Sequence, residues 1–224
     1  MQSRKYPLAT GDIHHVMNKS IAGFKIFHGK EDYERMLHLI RYFSYRTLLP
    51  KFSQFLEQRG VINVGFEKFL DELVDEEDRR VQIVAYCLMP THVHLVVKQL
   101  RQDGVSKFMS DTLNGYTRYF NTKRKRVGPL WVGKFKNVAV QTDEQLLHLT
   151  RYIHLNPSTA KLVNKPEDWA YSSYAEYVAV ESVVYPLCDY QDFFDISPEK
   201  YAKFVKDNIE NQQDLARIKK ITLE

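Results

Sequence analysis

The run Tyr86-Cys-Leu-Met-Pro-Thr-His-Val-His-Leu-Val-Val97 constrains this chain most. Apolar residues flank Pro90-Thr91, which predicts an antiparallel hairpin: Val81 to Leu88 paired with His92 to Lys98, the two histidines near its tight end. Side chains alternate along a strand, so His92 and His94 leave one face while Val93 and Leu95 leave the other. Two neutral imidazoles held together on a rigid strand form half of a metal site. The same spacing also suits two partly buried histidines hydrogen-bonded within a sheet, and the pair alone leaves both readings open.

The rest of the chain supplies partners for that hairpin. Asp12 to Ser20 alternates as a strand, and Glu31 to Thr47 carries Met36, Leu37, Ile40 and Phe43 at helical spacing. Ser106 to Thr122 reads as a helix with Phe108, Met109, Leu113, Tyr116 and Phe120 on one side. Trp131 to Gln141 alternates again as a strand. Thr142 to Asn156 reads as a helix opened by a Thr-x-x-Gln capping box and stopped by Pro157. The order βαββαβ plus a further helix predicts an α+β, ferredoxin-like (RRM-like) antiparallel sheet with helices on one face. Pro50 to Arg80 interrupts it as a helical insertion with an acidic outer face, since Phe52, Phe55, Leu56, Phe66, Phe69, Leu70 and Leu73 are amphipathically spaced. We divide the chain into a catalytic-domain candidate at 11–165, containing the insertion, and a C-terminal extension at 166–224. The extension cannot form a core alone, so it should pack back or bind substrate.

Composition narrows the class. With 44% hydrophobic and 27% charged residues in 224, the chain is an ordinary globular protein with no apolar stretch near the ~20 residues a membrane helix needs. Its first residues lack the apolar core of a signal peptide, so a cytoplasmic location without membrane contact is expected. Cys87 and Cys188, without Cys-x-x-Cys spacing, argue against a disulfide framework or a zinc knot and should be reduced and structural. The net charge of +4 is unevenly spread. Lys123, Arg124, Lys125, Arg126, Lys134 and Lys136 lie between Asn121 and Lys136 with no acid, and Trp131 and Phe135 are interleaved. Such a tract can be a solvated helix end; the aromatics between the charges favour nucleic acid, which wants cations for phosphates and flat faces for bases.

On the helix from Thr142, at about 100° per residue, Leu146, Leu149, Thr150 and Ile153 form the buried stripe. Tyr152 and Asn156, one turn apart, share a direction at its edge, and His154 lies roughly 160° from Tyr152. His148, one turn before Tyr152, either lines the same site or is a partly exposed helix residue. His14 and His15 in the first strand have no neighbour that fixes a role and are read as structural.

Four segments in order, Tyr86-Cys-Leu-Met-Pro-Thr-His-Val-His-Leu, Trp131-Val-Gly-Lys-Phe-Lys, Arg151-Tyr-Ile-His-Leu-Asn-Pro157 and Trp169-Ala-Tyr-Ser-Ser-Tyr174, resemble the single-tyrosine HUH transposases of bacterial insertion sequences, especially the REP-associated tyrosine transposases. The resemblance runs from about Asp12 to Tyr177, with the 50–80 insertion as its main departure. It implies that His92 and His94 bind a divalent metal, Mg²⁺ or Mn²⁺, that Tyr152 is the nucleophile, and that Asn156 completes the metal site where other members carry glutamine. It further implies cleavage and rejoining of single-stranded DNA, or of a hairpin with a single-stranded flank, through a 5′-phosphotyrosine. Lys123, Arg124, Lys125, Arg126, Trp131, Lys134 and Lys136 are the DNA-contact candidates. Whether one chain or a homodimer completes the site stays open. Tyr116 and Tyr119 are the fallback nucleophiles. The rivals are a non-catalytic hairpin-binding protein, a metal-dependent hydrolase using water, and an HUH relaxase or replication initiator.

Overall fold

The computed structural model describes residues 7–46, 50–179, 183–209 and 212. The first strand, β1 (Ile13–Lys19), leads into α1 (Lys30–Phe43), which turns Tyr33, Met36, Ile40 and Phe43 inward at helical spacing. This helix ends earlier than its sequence suggests, and Thr47 lies outside the described residues.

Three short helices, α2 (Phe52–Leu56), α3 (Arg59–Val64) and α4 (Phe66–Asp71), make up the insertion. Its Phe55, Phe66 and Leu70 are buried, while Asp71, Glu72, Asp75, Glu76 and Glu77 face solvent, as expected. The two ends of the insertion are tied together: Arg46 N–H donates to Asp78 O and Arg80 N–H to Ser44 O, both at 2.7 Å.

The hairpin forms as predicted, with β2 (Val81–Met89) antiparallel to β3 (His92–Gln99). Then follow α5 (Gly104–Lys123), β4 (Lys136–Val140), α6 (Asp143–Thr159), α7 (Tyr174–Val178) and α8 (Pro198–Lys206). The sheet order is β2-β3-β1-β4 with every neighbour antiparallel, the ferredoxin-like arrangement.

Three details differ from the sequence reading. Trp131 lies before the last strand rather than in it: it makes an isolated bridge to Ser20, and Gly133 at φ +63° turns the chain before β4 begins. Pro157 lies inside α6, which runs on to Thr159. Helix cover also extends beyond one face. Helices α1 and α5 pack together as one layer, α6 contacts both β2 and β4 on the histidine side, and all nine positions of β2 are buried.

The C-terminal extension packs back. Ser172 bridges Cys87, Leu88 N–H donates to Tyr171 O, and Ser173 N–H donates to Tyr86 O, so residues 171–173 continue the sheet beyond the β2 edge. Tyr174, Tyr177 and Tyr201 are buried with it, whereas the charged stretch from Glu210 lies outside the described residues apart from Gln212. Both cysteines are free and buried, and burial pushes both thiols up, which keeps them protonated. Among the described residues no helix is long and apolar enough to cross a membrane.

Candidate nucleic-acid-processing site

His92 is the first residue after the Pro90-Thr91 turn, and its Nδ1 lies 3.0 Å from Thr91 Oγ1. His94 follows on the same strand face, with ring centroids 4.9 Å apart and planes at 83°. The register of β1 against β3 sets Met17 opposite His94 and Lys19 opposite His92.

That register brings in a residue with no legible role in the sequence. His15 stacks on His94 at 5.2 Å, and its Nε2 lies 3.0 Å from His94 Nδ1. When His94 Nδ1–H donates to His15, the lone pair on His94 Nε2 is left for a cation. Burial holds His15 down to about 4 and His94 well below the ordinary histidine value. His92 is lowered by burial and by the neighbouring Lys19. All three rings are therefore neutral at pH 7, the state in which imidazole can ligate.

Helix α6 starts where predicted: Thr142 Oγ1 accepts from Gln145 N–H at 3.1 Å, and Gln145 Oε1 accepts from Gln141 N–H at 3.0 Å. Leu146, Thr150 and Ile153 face the core, which sets Tyr152 against the histidines. Its ring stands edge-on to His94 with centroids 6.4 Å apart, and it is 43% exposed, so an incoming strand can reach it. Burial raises the phenol above its usual pKa. One turn on, Asn156 is 9% exposed, and its Nδ2 has no hydrogen-bond partner among the described residues.

The other residues weighed from sequence fall elsewhere. His154 points away from Tyr152 into the C-terminal packing, with Nδ1 2.7 Å from Tyr201 Oη and Nε2 2.7 Å from Ser173 Oγ. His148 is a half-exposed helix residue beside Arg151 and Glu144. Tyr116 donates to Ile26 O from within the core, and Tyr119 donates to Asp32.

The basic tract divides. Lys123 Nζ lies 2.8 Å from Asp32 and 2.9 Å from Glu31, Arg124 reaches Asp32 at 3.4 Å, and Arg126 donates to Asn121 Oδ1, Gly128 O and Pro129 O. Trp131 corrects the sequence reading: only 8% exposed, it donates its indole N–H toward Leu113 O and Thr117 Oγ1 and presents no open face to a base. Phe135 is buried too. Lys125, Lys134 and Lys136 are exposed. Lys136 pairs opposite Met17, which pairs opposite His94, so a row across three strands brings Lys136 onto the histidine face. Lys19, exposed and opposite His92, belongs to the same face and was not singled out from sequence, because a lone lysine at a strand end carries no signal.

Comparison with known proteins gives the family and the fold. The family model described as transposase IS200 like matches residues 31–156, more than half of the chain. The chain belongs to the IS200-like transposase family. A REP-associated tyrosine transposase by name, from Haemophilus influenzae, is 28% identical over 115 residues, which cover 47% of this chain and 64% of that protein. The chain thus spans a little under two thirds of the length of that relative. A solved structure, titled a REP-associated tyrosine transposase bound to a REP hairpin, matches with TM-score 0.53 over 88% of this chain and 96% of that one, at 17% identity. That likeness carries the fold.

Proposed function

We propose that this protein is a metal-dependent transposase that cuts and rejoins single-stranded DNA, or a hairpin with a single-stranded flank, through a covalent 5′-phosphotyrosine on Tyr152. The observation that carries this reading is the approach of the Tyr152 ring to the His92–His94 pair, from an element more than fifty residues away in sequence.

The donors fit a divalent cation that shares its coordination with substrate. His92 and His94 offer two neutral nitrogens, and Asn156, one turn from Tyr152 on α6, would offer its amide oxygen as a third, neutral ligand. Among the described residues no three His, Cys, Asp or Glu group to hold a metal, so His92, His94 and Asn156 are the ligands the chain would supply. A cation held there, Mg²⁺ or Mn²⁺, would supply Lewis-acid stabilisation of the phosphate and favour the phenolate.

The remaining chemistry belongs to the chain. Tyr152 Oη loses its proton and attacks phosphorus in line. The new O–P bond forms as the P–O3′ bond breaks, and the departing 3′ oxygen takes up a proton. The strand stays attached through its 5′ phosphate. Attack by a 3′ hydroxyl reverses the step and returns the proton to Tyr152, so rejoining needs no ATP. Lys19, Lys134 and Lys136 neutralise backbone phosphates on the approach, with Lys125 further along.

Single-turnover incubation with an end-labelled hairpin bearing a flank, resolved on a denaturing gel, tests this. Wild-type protein with Mn²⁺ should give a covalent adduct. Tyr152→Phe should bind the hairpin normally and give none, and His92→Ala should lose cleavage. Strand cleavage at the wild-type rate by Tyr152→Phe would rule out the tyrosine and favour water as nucleophile. Absence of cleavage by wild type, with binding intact, would leave a hairpin-binding protein.

A further inference from the structure

At the end of the β2–β3 hairpin away from the histidines lies a cavity of about 620 Å³. Arg46, Arg80, Arg101 and Lys107 line it against one carboxylate, Asp78. The N-terminus of α5 forms part of the wall at Gly104, where a Cβ would meet Arg80 O at 2.5 Å, so only glycine lets the helix approach this closely. The insertion builds the other side, since Arg46 and Asp78 are its two tied ends.

The charges in this cavity are incompletely matched. Arg80 is held by Asp111 at 2.7 Å, and Arg46 stands 4.0 Å from Asp78. Arg101 donates to the main-chain carbonyl of Glu77, which is neutral, and its Nε is buried with no acceptor among the described residues. Neither Arg101 nor Lys107 has a carboxylate partner among the described residues. A concave site with surplus cations and a long helix's N-terminus in its wall suits a phosphate.

We propose that this cavity is a second phosphate-binding site, which grips the sugar–phosphate backbone of DNA remote from Tyr152. The choice of DNA as occupant rests on the transposase reading; the phosphate chemistry does not. The strand register runs from Met89 opposite His92 to Val81 opposite Gln99, eight residues, or roughly 26 Å at ~3.3 Å per residue. At ~3.4 Å per base pair, a duplex must extend about eight pairs to engage both ends. The insertion thus adds a contact that senses stem length.

Arg46→Glu with Lys107→Glu tests this, because both side chains are exposed. Lys161→Glu with Lys165→Glu, also exposed and outside the cavity, is the control of equal charge change. Hairpin affinity is measured in a Tyr152→Phe background, so the readout is binding, and failure of the catalytic reading leaves it intact. The cavity pair should weaken a hairpin with a stem of about 20 base pairs about tenfold and lower its salt slope by about two, leaving a stem of about four pairs unchanged. The control pair should do neither. Equal weakening of both stems, or by both variant pairs, would reduce the effect to general charge and overturn the proposal. Loss of inorganic phosphate binding, read by amide shifts around Gly104, with hairpin affinity unchanged for both stems would assign the cavity to a free anion and overturn DNA as occupant. No change in either would overturn the site itself.

Discussion

Asp32, only 1% exposed, shows how individual charges in this protein are assigned. Burial alone pushes its carboxyl up, but hydrogen bonds from Lys123, the His28 amide and Tyr119 outweigh it and bring it down to about 2. A folded pKa below the unfolded one gives stability that is complete above about pH 4 and lost as pH falls toward 2. Urea midpoints should therefore drop across that window. Asp32→Asn should flatten the drop and lower stability at pH 7 by roughly 2 kcal/mol; an unchanged acid limb in that variant would contradict the assignment. His15 makes the second prediction at this scale. If it orients His94, His15→Ala should weaken Mn²⁺ binding about 10–100-fold by titration calorimetry, with the fold intact. Equal affinity would return His15 to a purely structural part. Sequence alone missed this residue because it sits 79 positions from His94, and strand register, not local pattern, joins them. Tyr152 and Asn156 share a direction in the sequence because four residues make about one helical turn. Trp131 misled for the opposite reason: adjacent lysines do not reveal which way an indole points, and here it points inward.

Elements were legible where chain chemistry punctuates them. Pro90-Thr91 marks the hairpin turn and Thr142 with Gln145 caps α6, so βαββαβ is legible in the chain itself. Pro157 predicts a stop because proline lacks the N–H that would bond back one turn. The helix continues because later amides still close it: Ala160 N–H donates to Asn156 O and Leu162 N–H to Pro157 O. The start of α5 offers a test at this scale. Alanine is favoured over glycine by ~1 kcal/mol within helices, yet a methyl at Gly104 would strike the Arg80 carbonyl, which is backbone and cannot step aside. Gly104→Ala should therefore destabilise by about 1–3 kcal/mol in urea unfolding. A gain in stability would mean that α5 and the β2 entry are less tightly packed than the geometry states.

At the scale of the whole molecule, the extension completes the core that positions the site. His154, on the same helix as Tyr152, takes both ring partners from it, Ser173 and Tyr201, and Tyr201 also donates to Thr150. Removing residues from Pro166 onward would leave a buried imidazole unsatisfied and open the β2 edge. The truncated chain should be largely insoluble or lose its cooperative thermal transition; a soluble, cooperatively folding product would show that the extension is dispensable. The sequence indicates only that this segment cannot form a core alone, since its contacts to β2 span 80 to 90 positions. The extension thereby fixes one side of α6 while the histidine face receives the other. The most direct test of that convergence is to digest the protein after reaction with a flanked hairpin and map the attached nucleotide by mass spectrometry. The account predicts a phosphodiester adduct on the peptide containing Tyr152, dependent on His92 and His94. An adduct on any other tyrosine, or cleavage with no adduct at all, would contradict it.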